Sequence, residues 1–201
     1  DTARFITGDE ISEVIGSTME TVIKERVILE SGGGEISGHG AATSQKMGAS
    51  TVDDIVLFVA KMESGALATF EATRLSTGYK NANRLEIHGE LGAIRFNFER
   101  MNELDWYDAT LPAELQGWNT INVTDGNANH PYAASWWPTA HVLGYEHSFI
   151  NQAADMLTVI GGGQPVVPLA DFADAYKVQR VLSAVVESDK QRSPVPLDQI
   201  H

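Results

Sequence analysis

The chain has 201 residues, 43% of them hydrophobic, enough for one sizeable core and too few for two comfortable ones. Its 27 Asp plus Glu against 14 Lys plus Arg give a net charge of -13, which repels nucleic-acid phosphates and anionic lipid heads, and with no cysteine it has no disulfide, thiolate metal site or thiol nucleophile. No run nears the roughly 20 apolar residues of a membrane helix and the acidic N-terminus lacks signal-peptide features, so a cytoplasmic setting with no membrane and no nucleic-acid partner is expected.

In chain order, Asp1-Thr2-Ala3-Arg4-Phe5-Ile6-Thr7-Gly8 reads as the tail of a helix closed by Gly8. It begins without methionine, which suggests a piece cut from something longer, a trimmed methionine being the other reading. Ile11 to Thr21 predicts a strand, and the small, polar stretch from Ser31 to Ser50 predicts a long flexible loop. Gly32, Gly34 and Ser37 in that loop miss the last glycine of a dinucleotide fingerprint, and no helix pattern follows, so the loop does not read as a phosphate cradle.

The apolar run from Val52 to Lys61 predicts a strand buried on both faces, turned by Glu63-Ser64-Gly65 into a second strand from Ala66 to Arg74. Leu85 and Ile87, then Glu90-Leu91-Gly92, then Ile94, Phe96 and Phe98 predict a second hairpin with period-two alternation. Shorter strands are expected at Glu103 to Asp108 and Trp118 to Thr124. The spacing then turns helical. Phe149, Ile150, Ala153, Ala154, Leu157 and Ile160 form an apolar stripe stopped by Gly161-Gly162-Gly163. A second helix should run from an Asp171 N-cap through Phe172, Ala175, Val178, Leu182, Val185 and Val186. Pro194-Val195-Pro196-Leu197 can only be an edge strand or an extended close, because proline lacks a ladder donor. The expected fold is one α+β domain over residues 1–201, a largely antiparallel open sheet with helices packed on one face.

The segment Trp136-Trp137-Pro138-Thr139-Ala140-His141-Val142-Leu143-Gly144-Tyr145-Glu146-His147 gathers aromatics, histidines and a carboxylate at a loop-to-helix junction. Such side chains suit a sugar or polyol: ring faces pack on C–H faces, and imidazole, phenol and carboxylate groups pair with hydroxyls. Trp136 and Trp137 read first as core or interface anchors, and Glu146 also as a first-turn helix acid. His141 and His147 lie six apart, not at the four-residue spacing of paired helical metal ligands. His39 and His88 read as exposed or cross-strand paired, Ser135 and Ser148 lack a nucleophile context, and Arg4, Arg74 and Arg84 read as salt-bridge residues.

The opening segment, the hairpin-rich middle, Gly144-Tyr145-Glu146-His147-Ser148-Phe149 and Val178-Gln179-Arg180-Val181-Leu182, taken in order, resemble the C-terminal domain of the glucose-fructose oxidoreductase, inositol dehydrogenase and MocA family. The resemblance implies an oxidoreductase using NAD or NADP on a sugar, inositol or related polyol, the cofactor bound mainly by a nucleotide-binding domain outside this chain. It places the catalytic Lys, Asp and His before Asp1, and gives Asp1 the role of a substrate-hydroxyl contact, where the residues alone also allow a helix N-cap. It makes His147, Tyr145, His141 and Trp137 substrate contacts, and it implies a homodimer or homotetramer through the sheet face. No catalytic, cofactor or metal residue is expected in the chain itself, which should be inactive alone. The alternative is a non-catalytic binding or dimerisation module that shares the fold.

Overall fold

A computed structural model of the chain describes residues 1–28, 46–125 and 130–200. The chain divides into two compact units, Asp1–Thr77 with Phe172–His201, and Gly78–Asp171.

The first unit opens with α1 (Thr2–Thr7), which ends at Gly8 in the left-handed region, φ 66. Only glycine takes that conformation without crowding a Cβ, and its N–H closes the helix on the Arg4 carbonyl. β1 (Ile11–Glu20) follows, then a two-stranded ribbon of β2 (Glu25–Val27) and β3 (Met47–Ala49). β3 falls inside the stretch expected to be loop: small residues hide a strand from propensity, and its partner β2 supplies the order. The rest of that expected loop up to residue 45, including Gly32, Gly34, Ser37 and His39, lies outside the described residues.

β4 (Ile55–Met62) and β5 (Leu67–Thr73) form the first expected hairpin, its turn carried by Gly65 at φ 93. With β1 and β10 (Val195–Pro196) they make a four-stranded antiparallel sheet in the order β10-β1-β4-β5. β10 is at the edge, as its Pro196 and the preceding Pro194 require. β4 is not buried on both faces as the sequence suggested: Val56, Phe58, Ala60 and Met62 face the core, while Leu57 and Val59 are exposed. The long helix α3 (Phe172–Gln191) packs against β1. Ile11, Val14, Ala60, Met62, Val181, Ala184, Val185, Val195 and Leu197 form the core between them. The buried face of α3 is Val181, Ala184, Val185 and Ser188. This corrects the expected stripe, of which Phe172 is 96% exposed and Leu182 49% exposed. Those spacings of three and four select one face, and the apolar residues at the other positions look outward.

The second unit holds β6 (Arg84–His88), β7 (Gly92–Asn97), β8 (Glu103–Asp108) and β9 (Trp118–Asn122), an antiparallel sheet in chain order. Gly92 is required there, since a Cβ would stand 2.4 Å from the Tyr107 carbonyl oxygen of β8. Phe98 leaves the strand for a single 3-10 turn, Phe98–Arg100, capped by the Asn97 side chain. Helix α2 (Tyr145–Ile160) follows. Its apolar stripe does not pack inward within this chain: Phe149, Ile150, Met156, Leu157 and Ile160 are all at least half exposed. Its buried residue is Asp155. The fold is therefore α+β, and among the described residues the pairing is antiparallel, with the strands divided between two four-stranded sheets and a ribbon. No helix of the described residues is long and apolar enough to cross a membrane.

Candidate functional site

In the second unit the first turn of α2 is built by a chain of directed hydrogen bonds. The Asn102 amide donates to the Leu143 carbonyl at 3.0 Å, and its carbonyl accepts the Leu143 N–H at 2.8 Å. This pair imitates a backbone ladder and fixes the residue before the Gly144 N-cap. The Gly144 N–H then donates to Nδ1 of His147 at 3.0 Å, while the His147 N–H reaches the Gly144 carbonyl at 3.2 Å. Both helix-start groups are satisfied reciprocally, with an imidazole doing what a glutamate commonly does. Glu146 Oε1 lies 3.7 Å from the same Nδ1. Since Nδ1 accepts from Gly144 it has no proton for Glu146, and the contact is not an ion pair.

The His147 side chain is 13% exposed and stands edge-on to Trp136, ring centroids 4.4 Å apart. Trp136 is fixed in turn by its indole N–H, which donates to Asn151 Oδ1 at 2.8 Å. One turn further, the buried Asp155 accepts the Tyr132 hydroxyl and the Val166 N–H, the latter at 3.0 Å. The Tyr132 hydroxyl holds the Asp155 carboxyl below the ordinary range, with the Val166 N–H assisting. Burial, then the bond to Asp155, pushes the Tyr132 phenol up to about 12. His147, Asn151 and Asp155 are spaced by four, so one stripe of α2 carries this polar wall while the apolar stripe points elsewhere.

The structure gives the other expected contacts different surroundings. Tyr145 is 53% exposed, its ring edge-on to Phe98 and Phe149, and its hydroxyl takes no partner among the described residues. His141 is exposed, with Nδ1 at 3.0 Å from the Pro138 carbonyl and 3.2 Å from that of Thr139. Two carbonyls can only accept, so this Nδ1 carries a proton, and in the neutral ring Nε2 is the acceptor. The preceding Ala140 has φ 68, a strained conformation for a residue with a Cβ, and it sets the turn from which His141 projects. Trp137 is 50% exposed; the indole that meets His147 is that of Trp136. These four lie in one segment of the second unit, whereas Asp1 belongs to the first.

Asp1 occupies the N-cap position of α1 without a side-chain cap bond, and its carbonyl accepts the Phe5 N–H at 3.0 Å. Three residues on, the buried Arg4 donates to both Glu10 oxygens, at 2.6 and 2.9 Å, and pairs with Asp174 at 2.8 Å. Lys177 also reaches Glu10, at 2.8 Å. These bonds, the Arg4 pair foremost, hold the Glu10 carboxyl down at about 2. A six-residue helix has little stability of its own, so this clamp is what fixes α1 in place.

Sequence reasoning did not single out Asn102, Asp155 or Tyr132. The four-residue spacing of His147, Asn151 and Asp155 was the available signal for the stripe; for Asn102, 41 residues from Leu143, there was none. An open groove of about 530 Å³ on the second unit's sheet is lined by Arg84, Glu86, Arg95, Asn97, Arg100, Glu103 and Asp105, among others. Its charges largely neutralise one another, Arg95 against Asp105 at 3.1 Å and Arg100 against Glu103. Neither long helix opens on a dinucleotide cradle: α2 spends its Gly144 N–H on His147 and carries Glu146 in its first turn, and α3 carries Asp174 there. Carboxylates at those ends oppose a pyrophosphate.

Antiparallel sheets, with α3 packed on β1 and a row of imidazole, indole and carboxylate groups along α2, make up an α+β fold. Residues 1–95 match the family model described as the GFO/IDH/MocA C-terminal domain. The chain belongs to the glucose-fructose oxidoreductase, inositol dehydrogenase and MocA family, as a C-terminal domain. It is 35% identical over 201 residues to levoglucosan dehydrogenase of Pseudarthrobacter phenanthrenivorans, across 100% of this chain and 50% of that protein. An oxidoreductase domain protein from Kribbella flavida is 45% identical, with a TM-score of 0.82 over 97% of this chain and 48% of that one. A levoglucosan dehydrogenase structure in complex with NADH and levoglucosan is 33% identical, with a TM-score of 0.80 over 100% of this chain and 48% of that one. The chain thus spans about half the length of the relatives it matches.

Proposed function

We propose that this chain is the C-terminal part of an NAD- or NADP-dependent oxidoreductase acting on a sugar, inositol or related polyol, in which it supplies one wall of the substrate site and the oligomer interface. The observation that carries the reading is the match along the whole chain, at 35% identity, to a levoglucosan dehydrogenase. The polar wall is its chemical support: an imidazole, a phenol with an unengaged hydroxyl and exposed indole surface suit a polyhydroxylated ligand. Asp1, Tyr145, His147, His141 and Trp137 are the substrate contacts in this reading.

Among the described residues the two long-helix starts do not suit a dinucleotide, because they carry acids where a pyrophosphate would sit. The nicotinamide, which accepts hydride from a carbinol carbon when bound, is assigned to polypeptide outside the chain, as are the lysine and histidine that handle the hydroxyl proton. The work left to this chain is to bind and orient hydroxyls. The exposed apolar stripe of α2 supports a role inside a larger assembly, since an unaccompanied helix face of that kind is costly in water.

The test is to produce the full-length polypeptide that carries this sequence and follow NAD⁺ and NADP⁺ reduction with levoglucosan, glucose and myo-inositol. Reduction with at least one of them is expected. Activity with none of these, in a folded enzyme that binds NADH, would remove the substrate reading. The isolated chain should neither bind NADH in a fluorescence titration nor transfer hydride, and sedimentation of the full-length enzyme at micromolar concentration should give a homodimer or homotetramer.

A further inference from the structure

We infer that His147 is a one-way hydrogen-bond donor whose polarity is fixed by the backbone, and that it therefore selects for an acceptor oxygen on the ligand. The inference rests on the reading of this wall as substrate-facing and deepens it. The Gly144 N–H points at Nδ1 from 3.0 Å, so Nδ1 must offer a lone pair and the ring proton must sit on Nε2. Gly144 cannot rotate away, because Asn102 holds Leu143 on both its N–H and its carbonyl. Nor can the ring turn freely, because the Trp136 indole packs against it, centroids 4.4 Å apart, and Asn151 holds that indole by its N–H.

Nε2 takes no partner among the described residues, and it is not among the polar atoms that are both buried and unsatisfied. The remaining 13% exposure of the side chain leaves that nitrogen room for a partner from outside. The site is thus prepared to donate one N–H to a neutral oxygen lone pair, from a hydroxyl, ether or acetal, and cannot accept a hydroxyl proton there. His141, when neutral, has the opposite polarity, Nδ1 protonated against two carbonyls and Nε2 accepting. Two histidines six residues apart therefore present a donor and an acceptor through the same ring atom. This makes His147 a specificity-determining residue, with Gly144, Asn102, Trp136 and Asn151 positioning it.

The experiment uses the full-length enzyme with ¹⁵N-labelled histidine, the His147 resonances assigned by their loss in His147→Asn. A ring protonated at Nε2 alone at neutral pH, with its Nε2–H resonance moving on addition of levoglucosan, glucose or myo-inositol, whichever the enzyme oxidises, is the expected result. Kinetics supply the second arm. In His147→Asn the amide oxygen still accepts from Gly144 but no donor reaches the Nε2 position, so KM should rise on the order of tenfold with kcat little changed. His147→Gln, whose amide N–H extends to that position, should recover part of the loss. A proton on Nδ1, or on both nitrogens, overturns the inference while leaving the functional reading intact; so does an unchanged KM in His147→Asn. Oxidation of none of levoglucosan, glucose and myo-inositol overturns the functional reading, and the inference falls with it.

Discussion

The indole of Trp136 and the imidazole of His147 meet edge to face, their planes at 85° and their centroids 4.4 Å apart, eleven residues apart in sequence. The contact joins the irregular segment before α2 to the first turn of that helix, and the indole N–H anchors it one turn further along at Asn151. A tryptophan that could have served as a ligand platform is used to orient a histidine.

Trp136→Phe keeps an aromatic edge but gives up the bond to Asn151. We expect a loss of about 1 kcal/mol in urea unfolding, with a raised KM for the polyol in the full-length enzyme. Trp136→Ala should lose about 3 kcal/mol. A Trp136→Phe enzyme with unaltered stability and KM would show that the indole N–H orients nothing.

Asn102→Ala removes both side-chain bonds to Leu143 and leaves that N–H and carbonyl without partners. A loss of about 2 kcal/mol is expected, together with faster hydrogen exchange at Gly144. Unchanged exchange at Gly144 would separate Asn102 from the helix start.

The Glu10 carboxyl titrates at about 2 in the folded chain, against an ordinary 4.5, because Arg4 donates to it twice and Lys177 once. Its folded pKa is depressed, so the stability it contributes is complete above about pH 5 and drains away as pH falls toward 2. Thermal melts across that window should show wild type losing more stability than Glu10→Gln. Equal acid sensitivity of the two would place the acid-labile groups elsewhere. Tyr132 behaves oppositely: its phenol is raised from 10 to about 12, so its contribution is complete below pH 10 and is lost as pH rises through 12.

Gly92→Ala should be among the more damaging single-atom-scale changes. The added methyl carbon would lie 2.4 Å from the Tyr107 carbonyl oxygen across the β7–β8 pair, and a backbone atom cannot yield as a flexible side chain can. We expect a cost of about 2 kcal/mol in a urea melt. Gly8→Ala, where the obstacle is φ 66 with open space around it, should cost only about 1 kcal/mol.

Much of the fold was legible because its signals are local. The hairpins around Gly65 and Leu91, the edge strand at Val195 and the end of α1 at Gly8 each follow from alternation, proline chemistry or a glycine that a turn requires. The gathering of aromatics and histidines from Trp136 to His147 was likewise legible from composition, whereas the stripe His147, Asn151 and Asp155 was not singled out.

Three matters were settled only in three dimensions. Hydrophobic spacing located α2 and α3 but could not say which stripe each would bury, because α2 presents both an apolar and a polar stripe and only packing chooses between them. The strand at Met47 depends on its pairing with Glu25 to Val27, since its own residues carry almost no strand preference. The polarity of His147 depends on a hydrogen bond from Gly144, and the position of Gly144 on Asn102, 41 residues from Leu143. The sequence by itself determined where most of the strands, turns and helices lie, because backbone sterics and side-chain period act over a few residues. Tertiary structure alone decided which faces are covered and which way each imidazole donates, because both depend on neighbours that the chain brings together only by folding.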